Sequence, residues 1–179
     1  MKEITYQGMT FEPYITRADI EREVKRMAQE IKRDCTSDNP LFVCVLNGAF
    51  IFAADLFRAC DMHCAEICFI RLKSYEGTSS TGDVKKIMGL TADITGREVI
   101  IVEDIVDTGV TAKQLRSMLS SQGAASVKMA SLLFKPDSLQ EGTPPEYVGF
   151  SIPKKFIIGY GLDIDEQARN LPDIYVIKQ

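Results

Sequence analysis

The run IIVEDIVDTGVT, residues 100–111, concentrates acidic and hydroxyl side chains beside a glycine. Two of its acids, Glu103 and Asp104, are adjacent, so in a loop they could aim at one polar partner such as a metal-bound diol. A third acid, Asp107, follows shortly after them. Because neighbouring carboxylates repel one another unless a cation relieves them, the pattern predicts a hydrated Mg²⁺ ion as their companion.

The end of this run is suited to binding a phosphate. Its residues can supply successive backbone N–H groups and two hydroxyls, and the glycine is free to adopt positive φ. These residues are Thr108, Gly109, Val110 and Thr111. The alternative is an ordinary strand-to-helix connection whose acids are solvated and complement a helix dipole. We favour the ligand site, since solvated charge is not expected directly after a buried strand.

The flanking residues predict which elements position these groups. Residues 99–102, VIIV, form a β-branched run without alternation, which is typical of a parallel strand buried on both faces. Residues 111–122 predict a helix, with Thr111 as its N-cap and Gly123 at its end. The acids would then lie at the carboxyl end of a strand, the edge of an open α/β sheet at which ligands bind.

The rest of the chain repeats this alternation of strand and helix. Residues 4–15 predict a strand pair or an arm, while Thr16-x-x-Asp19 opens a helix. Further strands are predicted at residues 41–46, 65–72, 126–134, 147–150, 156–158 and 175–177, with a helix at residues 49–60. We therefore expect one α/β domain over residues 1–179, with a small hood built from the two chain ends.

Composition fits a globular enzyme and disfavours other functions. The chain has 179 residues and a net charge of −4, from 21 basic and 25 acidic side chains. An acidic total argues against non-specific binding to nucleic acid or to a membrane surface. No segment has the apolar pattern of a signal peptide or of a membrane span, so a cytoplasmic location is expected.

The five cysteines are expected to be reduced thiols. Cys60, His63, Cys64 and Cys68 lie close together in sequence, which is compatible with zinc, but no second ligand pair has finger-like spacing. A helix-to-strand junction is the simpler interpretation. His63 is the only histidine, so a histidine triad is not expected.

Residues 100–111 bear comparison with two other motifs, the aspartic protease tripeptide and the P-loop. Asp107-Thr108-Gly109 is also the tripeptide of aspartic proteases, in which two such loops share a proton. The single copy would require a dimer, and a helical pattern follows where a protease would continue in β structure. A P-loop is excluded because G-x-x-x-x-G-K-[ST] does not occur.

Residues 102–109, VEDIVDTG, resemble the phosphoribosyl-pyrophosphate motif of the type I phosphoribosyltransferases, in the form found in the hypoxanthine-guanine enzymes. Other segments follow that family's order and approximate spacing: Leu46-Asn47-Gly48, Ser74-Tyr75, Lys135, Phe156-Ile157, the run 159–163 and Arg169. The resemblance covers the chain from about residue 41 to its end. It implies the type I phosphoribosyltransferase fold, a central and mostly parallel sheet flanked by helices, with a small hood.

The resemblance implies two loops that act on the pyrophosphate. Leu46, Asn47 and Gly48 match a loop whose backbone contacts pyrophosphate and whose peptide bond can become cis. The usual residue at the position of Asn47 is often Lys or Arg, so the backbone role carries over more readily than a charged contact. Ser74 and Tyr75 match a flexible loop, residues 74–83, that closes over the site and excludes water.

The remaining contacts to phosphoribosyl pyrophosphate follow from the same resemblance. Glu103 and Asp104 would hold the ribose hydroxyls and the metal ion. The 5′-phosphate would lie on Thr108, Gly109, Val110 and Thr111. Arg169 would contact pyrophosphate, although considered alone it would be taken for a surface charge.

The resemblance also implies how a purine base would be bound. Lys135 matches the donor to a purine 6-oxo group, although a lysine at a strand end is commonly just solvated. Phe156 matches the ring that stacks on the base, and Ile157 its backbone partner; both would otherwise be taken for core residues. Asp163 matches a position near a second Mg²⁺ ion and the 2-position of the base. Asp107 would accept or hold the proton on purine N7.

Together these matches imply a purine-salvage enzyme. It would transfer the phosphoribosyl group of phosphoribosyl pyrophosphate to hypoxanthine and/or guanine, giving IMP or GMP and pyrophosphate, with Mg²⁺ as cofactor. A homodimer or homotetramer is expected, without a nucleic-acid or membrane partner. Two alternatives stay open: an RNA-binding regulator on the same fold, which would need a basic face, and a dimeric aspartic protease. The preference among hypoxanthine, guanine and xanthine is left open as well.

Overall fold

The computed structural model of the chain describes residues 2–73 and 86–178, which form two β-sheets and their flanking helices. In chain order the elements are β1 (Ile4–Tyr6), β2 (Met9–Ile15), α1 (Arg17–Asp34), β3 (Leu41–Leu46), α2 (Phe50–Cys60), β4 (Glu66–Lys73), β5 (Lys86–Met88), β6 (Glu98–Val106), α3 (Val110–Ser121), β7 (Ser126–Phe134), a 3₁₀ turn (Pro136–Ser138), β8 (Tyr147–Ser151), β9 (Ile157–Ile158) and β10 (Ile174–Ile177). Within these ranges, no helix has the length and apolar character needed to cross a bilayer.

The central sheet has the strand order β5-β4-β3-β6-β7-β8, with β5 antiparallel at one edge and the other strands parallel. Helices α1 and α2 pack on one face, against residues such as Phe42 and Ile100. Helix α3 packs on the other face, against Val43 and Ile101. Because successive strand residues point to opposite faces, a sheet covered on both sides needs apolar residues at every position. This explains the apolar runs without alternation.

The two chain ends meet in a smaller antiparallel sheet, which we call the hood sheet, of order β1-β2-β10-β9. Its apolar side is packed around Phe11, Ile158 and Tyr175. The expected α/β fold with a small hood from both ends is therefore confirmed. Residues 4–15 form the strand pair rather than a loose arm.

Element boundaries agree with the prediction in several places and differ at α3. Strands β3 and β7 begin and end at the predicted residues. The Thr16 hydroxyl caps α1 by accepting from the Asp19 N–H at 3.1 Å. Helix α3 instead begins at Val110, with Gly109 at the cap position and a φ of 82°. The prediction of Thr111 as the cap is wrong, because the left-handed glycine makes the turn and Thr111 is already helical.

Strand β6 is longer than predicted and runs to Val106. It continues because its last residues still pair with Leu133 and Phe134 of β7. Glu103 and Asp104 therefore lie inside the strand rather than in a loop. The expectation that these two acids lie in a loop is therefore wrong, and the expectation that they share one polar partner stays a prediction.

Candidate active site

The carboxyl end of β6 and the start of α3 enclose a cavity of about 130 Å³. Its lining includes Glu103, Asp107, Thr108, Gly109 and Thr111, whereas Val110 enters the helix beside it. The N-terminus of α3 thus borders the cavity. Helix N-termini bind anions because their first N–H groups lack intrahelical acceptors and the helix dipole is positive there. The cavity therefore suits a phosphate group.

A segment after β7 covers this turn. The backbone N–H groups of Gln140 and Glu141 donate to the Thr108 carbonyl at 2.9 and 3.1 Å. A Cβ atom on Gly109 would overlap the Glu141 carbonyl oxygen, so glycine is required here for close approach as well as for its φ. The residue pattern of this segment did not predict the contact, because it depends on how the chain returns from β7.

Asp107 and Lys135 form an ion pair at the ends of β6 and β7. Lys135 Nζ lies 3.0 Å from Asp107 Oδ2, and the Lys135 N–H donates to the Val106 carbonyl at 3.0 Å. Lys135 is 8% exposed, whereas the Asp107 side chain is 42% exposed. Burial works to raise the pKa of Asp107, but the hydrogen bond and charge of Lys135 outweigh it and hold that pKa below its usual value. Asp107 is therefore ionised at neutral pH.

Asp104 meets two loops, away from this ion pair. A Cβ atom on Gly48 would overlap Asp104 Oδ2, and a Cβ atom on Gly161 would overlap the Gly48 carbonyl oxygen. Gly48 follows a cis peptide bond between Leu46 and Asn47. Both glycines are needed because no side chain would fit where these three segments meet.

Burial raises the pKa of Asp104 to about 6. The Ile105 N–H, which donates to Asp104 Oδ1 at 2.9 Å, and the charge of Arg169 oppose this rise, while the charge of Asp163 adds to it. A carboxylate that is disfavoured by burial and by a like charge becomes more favourable when a cation binds beside it.

Arg169 is anchored at this meeting point rather than solvated. Its Nη2 atom lies 2.9 Å from Asp163 Oδ1 and 2.8 Å from Glu166 Oε2, and its Nη1 atom donates to the Gly161 carbonyl at 2.8 Å. Arg169 also lowers the pKa of Glu166, with a smaller contribution from the Asn47 side chain. The turn that carries these residues is thereby joined to the loop of residues 46–48.

Phe156 lies on the hood sheet, in a groove of about 370 Å³ that also includes Lys154. Its ring is 47% exposed and lies against Phe11, with ring centroids 6.1 Å apart. Phe156 is therefore not a core residue, whereas Ile157 is buried. Lys154 also lowers the pKa of Asp107, which indicates that this side of the hood is within electrostatic reach of the ion pair.

The predicted site residues that the structure describes thus fall into two clusters, with the exposed ring of Phe156 and the buried Ile157 on the hood sheet outside them. The Asp107 cluster consists of Glu103, Asp107, residues 108–111 and Lys135. The Asp104 cluster consists of residues 46–48, Asp104, Asp163 and Arg169. Ser74 and Tyr75 lie outside the described residues.

Potential metal ligands occur at several places in the described part of the chain, residues 2–73 and 86–178. No three Cys, His, Asp or Glu side chains there are grouped as a metal site, so Glu103, Asp104 and Asp163 do not form one ligand set. Residues 60–68, considered above as a zinc site, do not form such a group either. The five cysteines are free thiols. Mg²⁺ commonly takes only one or two protein carboxylates, together with water and substrate phosphates. The carboxylates of Asp104 and Asp163 fit that pattern.

The family model of the phosphoribosyl transferase domain matches residues 15–165. This chain belongs to the phosphoribosyltransferase family. A hypoxanthine-guanine phosphoribosyltransferase of Streptococcus thermophilus is 43% identical over 162 residues, with 90% of this chain and 89% of the relative covered. The corresponding protein of Streptococcus pneumoniae is 40% identical over 166 residues, with 92% of both covered.

Solved structures of phosphoribosyltransferases share the fold. A hypoxanthine-guanine phosphoribosyltransferase of Bacillus anthracis matches with a TM-score of 0.82 and 36% identity, covering 94% of this chain and 97% of that one. The hypoxanthine phosphoribosyl transferase of Trypanosoma cruzi matches with a TM-score of 0.87 and 32% identity, covering 98% and 94%. The chain is a pentosyltransferase enzyme. The parallel sheet and the helix after Asp107-Thr108-Gly109 also contradict the all-β fold that a protease needs.

Proposed function

We propose that this phosphoribosyltransferase acts in purine salvage, transferring the phosphoribosyl group of phosphoribosyl pyrophosphate to hypoxanthine and guanine. The observation that carries the proposal is the Asp107–Lys135 ion pair of 3.0 Å beside the phosphate-sized cavity. It combines an ionised carboxylate, which can take a proton from a base, with an ammonium that can donate to a carbonyl. The 40–43% identity to hypoxanthine-guanine enzymes supports the same choice.

Phosphoribosyl pyrophosphate would extend across both clusters. Its 5′-phosphate would lie in the cavity formed by residues 107–111, at the N-terminus of α3. The backbone of residues 46–48 and the guanidinium of Arg169 would hold the pyrophosphate at the other end. Glu103 and Asp104, near the carboxyl end of β6, would lie between them and bind the ribose hydroxyls. Ser74 and Tyr75 would close over this arrangement.

Asp104 and Asp163 would hold Mg²⁺ together with the pyrophosphate oxygens. When bound, the ion would stabilise the negative charge that develops on the leaving pyrophosphate. Asp163 is paired with Arg169 in the structure, so the arginine would turn from this carboxylate towards pyrophosphate. Glu103 does not form one group with Asp104 and Asp163, so it would bind ribose rather than metal.

The purine would lie between Asp107 and the hood. Lys135 would donate to the 6-oxo group, Phe156 would stack on the ring and the Ile157 backbone would bind its edge, with Asp163 near the 2-position. As the bond from ribose C1 to the pyrophosphate oxygen breaks and the bond from purine N9 to C1 forms, the proton on N7 would pass to Asp107. The ionised carboxylate would also favour the positive charge that grows on the ribose.

The ion pair between Lys135 and Asp107 bears on the choice of base. An adenine 6-amino group cannot accept from an ammonium, but Lys135 would keep Asp107 as its partner and would not be left unpaired. Adenine would therefore be disfavoured because it gains no hydrogen bond, which is a weaker penalty than burying an unpaired charge.

We further propose that residues 1–179 act as one domain, in a homodimer or homotetramer located in the cytoplasm, without nucleic-acid partners. The activity is tested by incubating the protein and phosphoribosyl pyrophosphate with hypoxanthine, guanine, xanthine or adenine, and separating the nucleotides by chromatography. We expect IMP and GMP in the presence of Mg²⁺ and little or no AMP. Equal use of adenine would refute the role of Lys135, and no product from any base would refute the proposed activity.

A further inference from the structure

A hydrogen bond between α2 and the C-terminal part of the chain involves residues with no role so far. The Tyr160 hydroxyl donates to Asp55 Oδ2 at 2.6 Å. Tyr160 is only 6% exposed. The second oxygen of Asp55 accepts from Arg58, one turn further along α2. Burial and the charge of Asp55 raise the pKa of Tyr160, so its hydroxyl stays a donor at neutral pH.

Tyr160 lies in a tight turn, residues 159–162. Gly159 and Leu162 exchange backbone hydrogen bonds of 3.0 and 3.1 Å, and the Tyr160 N–H donates to the Leu171 carbonyl at 2.9 Å. Tyr160 has a φ of 50°, in a region that residues with side chains seldom adopt. Such a conformation persists only where the surroundings fix it, and the partly buried hydrogen bond to Asp55 is one of those constraints.

The residue after Tyr160 connects this turn to the Asp104 cluster. Gly161 is so close to Gly48 that a Cβ atom would overlap the Gly48 carbonyl oxygen. Arg169 holds the Gly161 carbonyl at 2.8 Å and Asp163 at 2.9 Å. Gly48 leads directly into α2, which carries Asp55. The turn therefore meets one stretch of chain at two places, through Gly161 on Gly48 and through Tyr160 on Asp55.

We infer that Asp55 and Tyr160 are positioning residues that fix the loop of residues 46–48 against the segment 159–169, which begins with this turn and carries Asp163 and Arg169. They would thereby set the affinity for the pyrophosphate end of phosphoribosyl pyrophosphate. The inference rests on the proposed function. A partly buried, charge-assisted hydrogen bond suits this task, because Tyr160 is buried and its hydroxyl would lose its acceptor if Asp55 were removed.

The test compares Tyr160→Phe with Tyr147→Phe. Tyr147 is a matched control, since it is also buried and its hydroxyl donates to a helix aspartate, Asp34, at 3.4 Å, but it lies on β8. Tyr160→Phe should raise KM for phosphoribosyl pyrophosphate roughly 5-fold to 10-fold, with kcat and KM for hypoxanthine within about 2-fold of wild type. Tyr147→Phe should leave all three parameters unchanged.

Substitutions on the helix separate the hydrogen bond from the charge. Asp55→Asn keeps an acceptor for the tyrosine and should retain most of the affinity, whereas Asp55→Ala should behave like Tyr160→Phe. Arg58→Gln removes the exposed ion pair with Asp55 and a hydrogen bond of 3.3 Å to the Ala54 carbonyl, and it leaves the acceptor of Tyr160 in place. It should have no effect on KM.

Hydrogen–deuterium exchange of residues 46–49 and 159–163 gives a readout that does not need turnover. Tyr160→Phe should speed exchange in both segments, and Tyr147→Phe in neither. An unchanged KM in Tyr160→Phe would overturn the inference, as would a raised KM without faster exchange. If wild-type protein formed no nucleotide, the proposed function would fail together with the inference. That failure would appear in the wild type rather than only in the variants.

Discussion

The two clusters of the site are assembled in different ways. The Asp107 cluster is formed by the ends of two paired strands, β6 and β7, and by the helix that follows one of them. The Asp104 cluster joins three distant segments, residues 46–48, β6 and the turn near residue 161. The first is held by the backbone pairing of β6 with β7, and the second by close packing of glycines and by the contacts of one arginine.

Because they are assembled differently, the two clusters should respond differently to substitutions. The segment 159–169, which contributes Asp163 and Arg169 to the Asp104 cluster, contains several non-glycine residues with positive φ. These are Tyr160, Asp165, Glu166 and Ala168. Such conformations depend on their surroundings, so changes near them should alter the fit of a ligand. The Asp107 cluster presents one ionised carboxylate on a rigid strand end. Changes at Asp107 and Lys135 should act on the chemical step and on the base, and changes in the Asp104 cluster on the binding of the pyrophosphate end of phosphoribosyl pyrophosphate.

The largest effect is expected for Asp107→Asn. Without the ionised carboxylate, kcat should fall roughly 10²-fold or more, as for loss of a general base, because N7 loses its proton acceptor. Steady-state assays with hypoxanthine measure the change, and circular dichroism checks the fold. The exposed Asp137, in the 3₁₀ turn after Lys135, gives a matched control in Asp137→Asn, which should retain normal turnover. Near-normal turnover of Asp107→Asn would show that Asp107 only shapes the turn.

Asp104→Asn should raise KM for phosphoribosyl pyrophosphate about 10-fold and weaken the response to Mg²⁺, since a neutral amide is a poorer ligand for a hard cation.

Asp104→Asn should also stabilise the free protein against unfolding. The pKa of Asp104 is raised to about 6, so the folded state disfavours its charge at neutral pH. One pKa unit corresponds to about 1.4 kcal/mol, so the free energy of unfolding should rise by roughly 1–3 kcal/mol at pH 7.

The pH dependence checks this account of Asp104. Because the folded-state pKa is raised, the native protein binds the proton more tightly, and stability declines as pH rises from about 4 to about 6. The advantage of Asp104→Asn in Tm should therefore shrink as pH falls from 7 to 4. In the wild type, kcat/KM for phosphoribosyl pyrophosphate should fall below about pH 6. An equal Tm difference at both pH values would contradict the raised pKa.

Lys135→Gln is expected to reduce kcat/KM for hypoxanthine about 10-fold. It should also narrow the difference in kcat/KM between hypoxanthine and adenine, because glutamine can both donate and accept a hydrogen bond. It should also raise the pKa of Asp107, which Lys135 now lowers. The acidic limb of the profile of kcat/KM for hypoxanthine should then move to higher pH. An unmoved limb would show that the ion pair does not control the charge of Asp107 during catalysis.

Phe156→Ala should have the smallest effect, a rise in KM of about 3-fold to 10-fold that is similar for hypoxanthine and guanine. Stacking does not depend on the substituents of the base, and an aromatic contact contributes about 1 kcal/mol. Tm should change little, since the ring is 47% exposed. A loss confined to one base would contradict stacking as its role.

The Asp107 cluster is also the part that the sequence predicted best. An apolar run, a glycine and a helical period located the strand end and the helix start to within a few residues. The length of β6 was missed because the ladder with β7 continues through polar positions. The Asp107–Lys135 pair was not predicted either, because it depends on the alignment of two strand ends.

The Asp104 cluster could be anticipated only through family resemblance. Arg169 alone predicts a surface charge, and nothing local indicates that Gly161 will pack on Gly48. Contacts across more than one hundred residues, and left-handed residues such as Tyr160, follow from the fold as a whole. The Asp55–Tyr160 bond was missed for the same reason.

The division of roles between the two clusters is tested most directly by calorimetric titration with inorganic pyrophosphate and Mg²⁺, without a purine base and without turnover. Wild-type protein, Asp104→Asn and Asp107→Asn would be compared, with Asp38→Asn as an exposed control. We expect Asp104→Asn to lose about 10-fold or more in affinity, the amount predicted from its ligand role. Asp107→Asn and Asp38→Asn should bind as the wild type does. Equal loss in the Asp104 and Asp107 variants, or no loss in either, would contradict the division of roles between the two clusters.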